Sequence, residues 1–240
     1  MISVNKLNLS FDGKQLLHDV SFQLLDGDNL VILGRSGSGK TLLIKTLLGI
    51  YTPDSGEVIV DGVSLSDSDA EALKVLRNSF AMVFQNAALL DSFTVRQNIA
   101  LPLYERAELS ADEISKRVEE CLHIIGLEHT INHFPSELSG GMRKRIGIAR
   151  ALAYNPKYIV FDEPVSGLDP ITSDEILYYI AKIISNRSAT VITITHDISN
   201  LSKICNDVLF IDAGRVIFAG RLSDWTKSKN DLVRKYLSKI

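Results

Sequence analysis

Cysteine is scarce in this chain. Cys121 and Cys205 are the only two in 240 residues, and they are not a Cys-x-x-Cys pair. That excludes a disulfide framework and a cysteine zinc site, and it fits a reducing compartment. There is no excess of positive charge either: 26 basic residues stand against 29 acidic ones, a net charge of −3. Without an overall basic field to attract a phosphate backbone, nucleic acid is not expected as a partner. Long apolar runs are missing, and stretches such as Tyr158 to Phe161 are strand-sized. Crossing a bilayer takes roughly 20 residues. The first residues lack the pattern of a secretory signal, and no repeat or low-complexity segment occurs. What is present is ordinary: 45% hydrophobic and 23% charged residues, enough to exclude a disordered chain and to fill a core.

Punctuation residues divide the chain. Residues 2–11 and 18–25 read as two strands around Asp12-Gly13, a hairpin signal. Asn29 to Leu33 is a short apolar strand ending at Gly34, and a helix runs from Lys40 to Leu48 with Gly49 as its stop. Pro53 to Gly56 forms a turn, and Glu57 to Val60 a strand. Ser68 with Glu71 predicts a capping box, and Phe80 to Phe84 a further strand. Ser110 with Glu113 predicts a second box, followed by Ile114, Val118, Cys121, Leu122 and Ile125 at helical spacing. Another helix is expected from Gly140 to Ala153. Residues 87–155 therefore form a helical insertion in an α/β chain. Strands at 158–161 and 190–195, a helix opening at Pro170 and a hairpin around Ala213-Gly214 complete a mainly parallel sheet.

Gly34, Arg35, Ser36, Gly37, Ser38, Gly39, Lys40 and Thr41 match the phosphate-binding loop, with a strand before and a helix after. Glycines let successive amides turn inward, and the helix N-terminus adds positive potential. Lys40 would reach the β- and γ-phosphates, and Thr41 would offer a hydroxyl to Mg²⁺. Such a match arises by chance in about one chain in a hundred of this length, and the flanking strand and helix make chance rarer. The strand at 158–161 runs into Asp162 and Glu163. Strand alternation would aim these side chains at opposite faces, with Asp162 serving Mg²⁺ and Glu163 polarising a water. Ser139, Gly140 and Gly141 open the Gly140 helix and could form a second anion site. The triplet Arg143, Lys144, Arg145 behind them reads as a solvated face.

These motifs, in this order, resemble an ATP-binding subunit of an ABC transporter, over nearly the whole chain. The resemblance implies an α/β P-loop NTPase fold. A mainly parallel core sheet would combine with an N-terminal antiparallel portion and a helical insertion. It implies one domain, with a RecA-like core at about 1–86 and 156–222, a helical subdomain at about 87–155 and a C-terminal helix at about 229–240. It implies ATP hydrolysis with Mg²⁺ held by Thr41, Gln85 and Asp162. Phe11 looks like the aromatic that stacks on adenine, where Tyr is commoner. Gln85 looks like a switch between metal, water and membrane partner. Ser139, Gly140 and Gly141 look like the signature that closes on the γ-phosphate in a second subunit. Asp169 resembles the acid linking the two sites, and His196 the γ-phosphate sensor. Met142 replaces the commoner Gln.

A homodimer follows, docked on separate integral-membrane permease subunits at the cytoplasmic face of the inner membrane. Ala87 to Leu90, Phe93, Val95, Ile99, Leu101 and Leu103 supply apolar residues for insertion core and docking alike. The stretches from Gln85 to Val95 and from Leu138 to Arg145 are similar to ATPases of MCE-associated (Mla-type) phospholipid transport. That would add an MCE-domain lipid-binding protein as partner. An importer of a small polar solute such as an amino acid is the alternative. A soluble ABC ATPase and a structural ABC module are the rivals of another class. His129 and His133 stand four apart but lie between Gly126 and Pro135, where a metal-binding helix is not expected. His123 belongs on the solvated side of its helix. Leu232, Val233, Tyr236, Leu237 and Ile240 form a stripe that packs on this chain or its dimer mate.

Overall fold

The computed structural model describes residues 1–106, 109–186, 189–198 and 201–238. Ile240, expected to end the C-terminal stripe, lies outside them. In chain order the elements begin with β1 (Ile2–Phe11), β2 (Lys14–Leu24), β3 (Asn29–Leu33), α1 (Lys40–Leu47), β4 (Ser55–Val60), β5 (Val63–Ser64), α2 (Ala70–Asn78) and β6 (Phe80–Val83). Three helices follow, α3 (Val95–Arg106), α4 (Ala111–Ile125) and α5 (Gly140–Leu152). The chain then returns to β7 (Tyr158–Asp162), α6 (Pro170–Ser185), β8 (Thr190–Thr195) and α7 (Leu201–Ile204). It ends with β9 (Asp207–Asp212), β10 (Arg215–Arg221), α8 (Leu222–Trp225) and α9 (Asp231–Leu237).

Two sheets form. One is antiparallel, in the order β2-β1-β4-β5, and the other has the order β10-β9-β3-β8-β7-β6. In the second sheet β9, β3, β8, β7 and β6 run parallel, and β10 is an antiparallel edge. Its strands are apolar on both faces because both are covered. Val31 and Leu33 of β3 and Ile159 and Phe161 of β7 join a core shared with α3 to α6. Leu30, Ile32, Tyr158 and Val160 join a second core with α1 and the antiparallel sheet. This is the expected P-loop NTPase architecture. Between β6 and β7 the chain makes all of α3, α4 and α5, yet those strands pair directly, Phe80 opposite Tyr158.

Local expectations differ in two places. β2 starts at Lys14, so Asp12-Gly13 turns a tighter hairpin than expected. The cap of α2 is Asp69, whose Oδ1 accepts from the Ala72 amide, while Ser68 donates to the Ser64 carbonyl. Two capping residues stood side by side, and only backbone geometry chose between them. The Ser110 and Glu113 capping box of α4 forms as expected.

Candidate functional site

The strand order β3-β8-β7-β6 sets four carboxyl ends side by side, where open α/β sheets hold ligands. The loop after β3 carries Gly34 to Lys40. His196 follows β8, Glu163 follows β7 and Gln85 follows β6. A cleft of about 1080 Å³ is lined by Arg35, Ser36, Gly37, Lys40, Thr41, Gln85, Asp162, Glu163 and His196, among others. Local motifs up to 161 residues apart in sequence thus meet at one sheet edge.

The loop closes because its glycines permit it. A Cβ on Gly34 would run into the Ile211 carbonyl oxygen. Gly39 caps α1 at φ 104 without any side-chain cap, so the first amides of α1 stay available. Lys40 is buried and donates from Nζ to the carbonyls of Gly34 at 2.8 Å and Arg35 at 2.9 Å. Burial pushes its pKa down, and Glu163 and Asp162 push back. Ser38 Oγ is buried without a hydrogen-bond partner among the described residues. A buried ammonium satisfied by its own loop's carbonyls, beside an orphaned hydroxyl, fits an anionic ligand with several acceptor oxygens.

Asp162 and Glu163 both line the cleft, which corrects the expectation that they face opposite sides. β7 ends at Asp162, and Glu163 lies past the strand at φ +48. Strand alternation does not apply to a residue in the left-handed region, where a non-glycine costs about 1 kcal/mol or more. Burial raises the Asp162 pKa, and Glu163 raises it further, against Lys40 and Lys45. His196 is largely exposed, and its Nδ1 donates to Glu163 Oε1 at 2.9 Å. Gln85 Nε2 donates to Ser166 Oγ at 3.1 Å, which leaves Gln85 Oε1 for the cleft. Among the described residues no cluster of three His, Cys, Asp or Glu could hold a metal alone. Thr41, Gln85 and Asp162 offer a sparse set of oxygens, and Mg²⁺ suits such a set when substrate phosphates and water complete its octahedron.

Ser139, Gly140 and Gly141 do not line this cleft. Ser139 caps α5, its Oγ accepting from the Met142 amide at 3.2 Å. A Cβ on Gly141 would run into Thr172 Cγ2, so bare glycine lets α5 abut α6. Phe11 also lies outside the lining; it is 40% exposed and edge-on to Tyr51 at 4.8 Å. Asp169 caps α6 by accepting from the Thr172 amide and hydroxyl, which lowers its pKa.

The basic triplet is a solvated face only at Arg143, which is exposed; Lys144 is buried and Arg145 half-buried. Lys144 is 8% exposed and donates from Nζ to the carbonyls of Pro164 and Ser166, each at 2.8 Å. Arg143 donates to the Leu138 carbonyl, and Arg145 lies 3.8 Å from Glu175. Sequence reasoning missed Tyr51 and Tyr236, a cleft-lining residue of α9, and gave no role to Ser166, which opens the Ser166-to-Asp169 motif and also lines the cleft. Tyr236 carried a signal as part of the C-terminal stripe, and Tyr51 carried none. His129 lies in a single helical turn at Glu128–Thr130 and His133 in the loop after it, and His123 is exposed beside Glu128 at 2.7 Å.

Comparison with known proteins identifies the family. The sequence profile described as ABC transporter matches residues 17–166. The methionine import ATP-binding protein MetN of Carboxydothermus hydrogenoformans is 38% identical, over 100% of this chain and 73% of its own length. MetN of Halalkalibacterium halodurans is also 38% identical, over 100% and 72%. Among solved structures, cbiO1 from Clostridium perfringens, part of the ABC transporter complex cbiONQ, superposes with a TM-score of 0.86. It is 31% identical and covers 100% of this chain and 95% of its own. The ATP-binding cassette MJ0796, in a dimeric post-hydrolysis state bound to ADP and Pi, gives a TM-score of 0.81 at 31% identity, covering 92% and 99%. With its phosphate loop, paired carboxylates and strand-end cleft, this chain belongs to the ABC transporter family, as an ATP-binding subunit that hydrolyses ATP with Mg²⁺.

Proposed function

We propose that the chain is the ATPase subunit of an importer for a small polar solute of the amino-acid class. The observation that carries this reading is similarity over the full chain to ATPases named for methionine import. Phospholipid transport with an MCE-domain partner is the second reading. It is favoured by the stretch from Leu138 to Arg145, but the relatives reported above are not named for it.

In this reading the amides after Gly34 and the Lys40 ammonium hold the β- and γ-phosphates. Arg35, Ser36, Gly37, Ser38 and Gly39 shape the loop. Thr41, Asp162 and Gln85 would hold Mg²⁺, which supplies charge neutralisation to the phosphates when bound. Glu163 accepts a proton from the attacking water, and His196 orients that carboxylate and senses the γ-phosphate. Phe11, backed by Tyr51, stacks on the adenine. Ser139, Gly140 and Gly141 act in the site of a second copy, which explains their separation from the cleft of their own chain. A homodimer with two shared sites follows.

Among the described residues no helix is long and apolar enough to cross a membrane. The subunit would therefore act peripherally, at the cytoplasmic face, on separate permease subunits. Docking falls to the region after Gln85, within a helical subdomain at about 87–155 set into a core at about 1–86 and 156–222. Val95, Ile99 and Leu103 are buried and serve the core. Leu90 is 42% and Tyr104 60% exposed, and both are free for a partner.

The test is purification of the chain from its native membrane, with identification of the components that travel with it. A permease plus a solute-binding protein, with ATPase stimulated by an amino acid, is the expected result. An MCE-domain protein with stimulation by phospholipid would replace the first reading by the second. Leu90→Glu should keep ATP binding and lose the permease, since an unpaired charge resists burial in a docking groove. Retention of the permease by Leu90→Glu and by Tyr104→Glu would move the docking surface elsewhere.

A further inference from the structure

The C-terminal helix α9 ends at the nucleotide cleft. Val233 on this helix is fully buried, and the Tyr236 ring packs 4.9 Å from Phe210 and 6.5 Å from Trp225. Trp225 is fully buried and meets Phe210 and Phe218 edge-on. An aromatic cluster on β9, β10 and α8 thus seats the helix, and it does so without help from the cleft. From that seat the Tyr236 hydroxyl donates to the His196 carbonyl at 3.1 Å.

The carbonyl of His196 and the amide of Asp197 belong to one peptide plane. The Asp197 amide donates to Thr195 Oγ1 at 3.0 Å. Both polar ends of this plane are therefore anchored, one by α9 and one by β8. The imidazole needs such anchoring. Its side chain is 63% exposed, so packing does not orient it. Burial raises the Tyr236 pKa, as do Glu163 and Asp197 against Arg35, so the hydroxyl remains a proton donor at neutral and mildly alkaline pH.

We propose that Tyr236 is a positioning residue for ATP hydrolysis, fixing the peptide plane after His196 and, through it, the imidazole beside Glu163. The inference rests on the reading of His196 as the γ-phosphate sensor. It gives α9 a function in the site, where the sequence offered only packing.

Tyr236→Phe keeps the ring in its seat and removes only the hydroxyl. In the purified full chain, kcat should fall about three- to tenfold, the effect of one neutral hydrogen bond. KM and the Kd of a nonhydrolysable ATP analogue should move by less than about twofold, and Tm by no more than about 2–4 °C. In a His196→Ala background the same substitution should have no further effect on kcat. Wild-type kcat in Tyr236→Phe would overturn the proposal. So would an undiminished loss in the His196→Ala background, which would show that Tyr236 acts by another route. His196→Ala itself should lose more than about tenfold. If it hydrolyses ATP like the wild type, the sensor reading fails, and that failure is separate from the result with Tyr236→Phe.

Discussion

The starts of α1 and α5 share a local signature and differ in what surrounds them. Both carry glycine at the helix start, Gly39 as the cap of α1 and Gly140 and Gly141 opening α5, and neither has an acidic residue in its first turn. By contrast α4 carries Asp112 and Glu113 there, the ordinary complement to a helix dipole. A missing carboxylate leaves a helix start able to receive an anion, although α3 and α6 lack one too. At α1 the neighbouring strand ends bring Lys40, Asp162, Glu163 and His196 around the loop. At α5 the exposed Ser139 lies outside the cleft with no such company. One helix start lines the cleft of its own chain, and in the function proposed above the other is half of a site that a second copy would complete.

The largest expected effect isolates the chemistry on the α1 side. Glu163→Gln removes the proton acceptor and leaves the phosphate cradle. Hydrolysis should fall by about 10²- to 10⁴-fold, while an ATP analogue binds as before and holds the dimer closed. Turnover near wild type in a steady-state assay would reject the role of Glu163.

A mixing experiment breaks the comparison itself. Lys40→Ala should weaken nucleotide binding about ten- to a hundredfold, because buried phosphate charge loses a charge-assisted donor. Gly141→Ala should leave binding by the single chain intact, since Gly141 lies outside the cleft. It should stop hydrolysis, because the added methyl forces α5 away from Thr172. Mixed dimers of the two variants contain one intact shared site. Combining equal amounts should restore about a quarter of wild-type hydrolysis, half the dimers being mixed with one working site each. An absence of restoration would return the signature to its own chain's site.

A smaller effect is expected where α5 touches the α1 site. Lys144→Met fills the same space but leaves the Pro164 and Ser166 carbonyls without their donor. The backbone carrying Glu163 and Ser166 then loses its tie, and kcat should fall about tenfold, the scale of a charge-assisted bond offset by recovered desolvation. Unchanged kcat in a stopped assay at saturating ATP would reduce Lys144 to a packing residue.

What could be read in the sequence follows from how each feature is encoded. The phosphate loop, the Asp162-Glu163 pair and His196 are local strings at strand ends, and strand order alone brings them together. Lys144 reaches carbonyls about 20 residues away in the chain, and a side chain bonding a distant backbone leaves no pattern in sequence. The same holds for Tyr236 and the His196 carbonyl. The alternation rule failed at Glu163 because the strand ends one residue earlier, a boundary that periodicity does not resolve. At 143–145 three adjacent cations suggest one solvated face, but consecutive helix positions point in different directions, and only Arg143 is exposed.

The smallest effect concerns stability and separates the two helix starts by pH. The Asp162 carboxyl is raised above the ordinary carboxylate range by burial and then by Glu163. A carboxyl with a raised folded pKa stabilises the fold where it is protonated. That contribution is lost as pH rises through the folded value. Asp162→Asn cannot ionise, so at about pH 8 it should melt above the wild type, by about 2–4 °C on the scale of 1 kcal/mol for a chain of this size. As pH falls through the raised value the wild type takes up a proton, and the gap should close. Ser139→Ala at the start of α5 removes a neutral cap worth about 1 kcal/mol. Its Tm should drop by a similar amount at every pH between about 5 and 8, because no titrating group is involved. Melting curves at four pH values decide the matter. A gap for Asp162→Asn that widens toward acid would show that ionised Asp162 is stabilised in the fold. A pH-dependent drop for Ser139→Ala would show a charge at the start of α5, and with it an end to the contrast between the two helices.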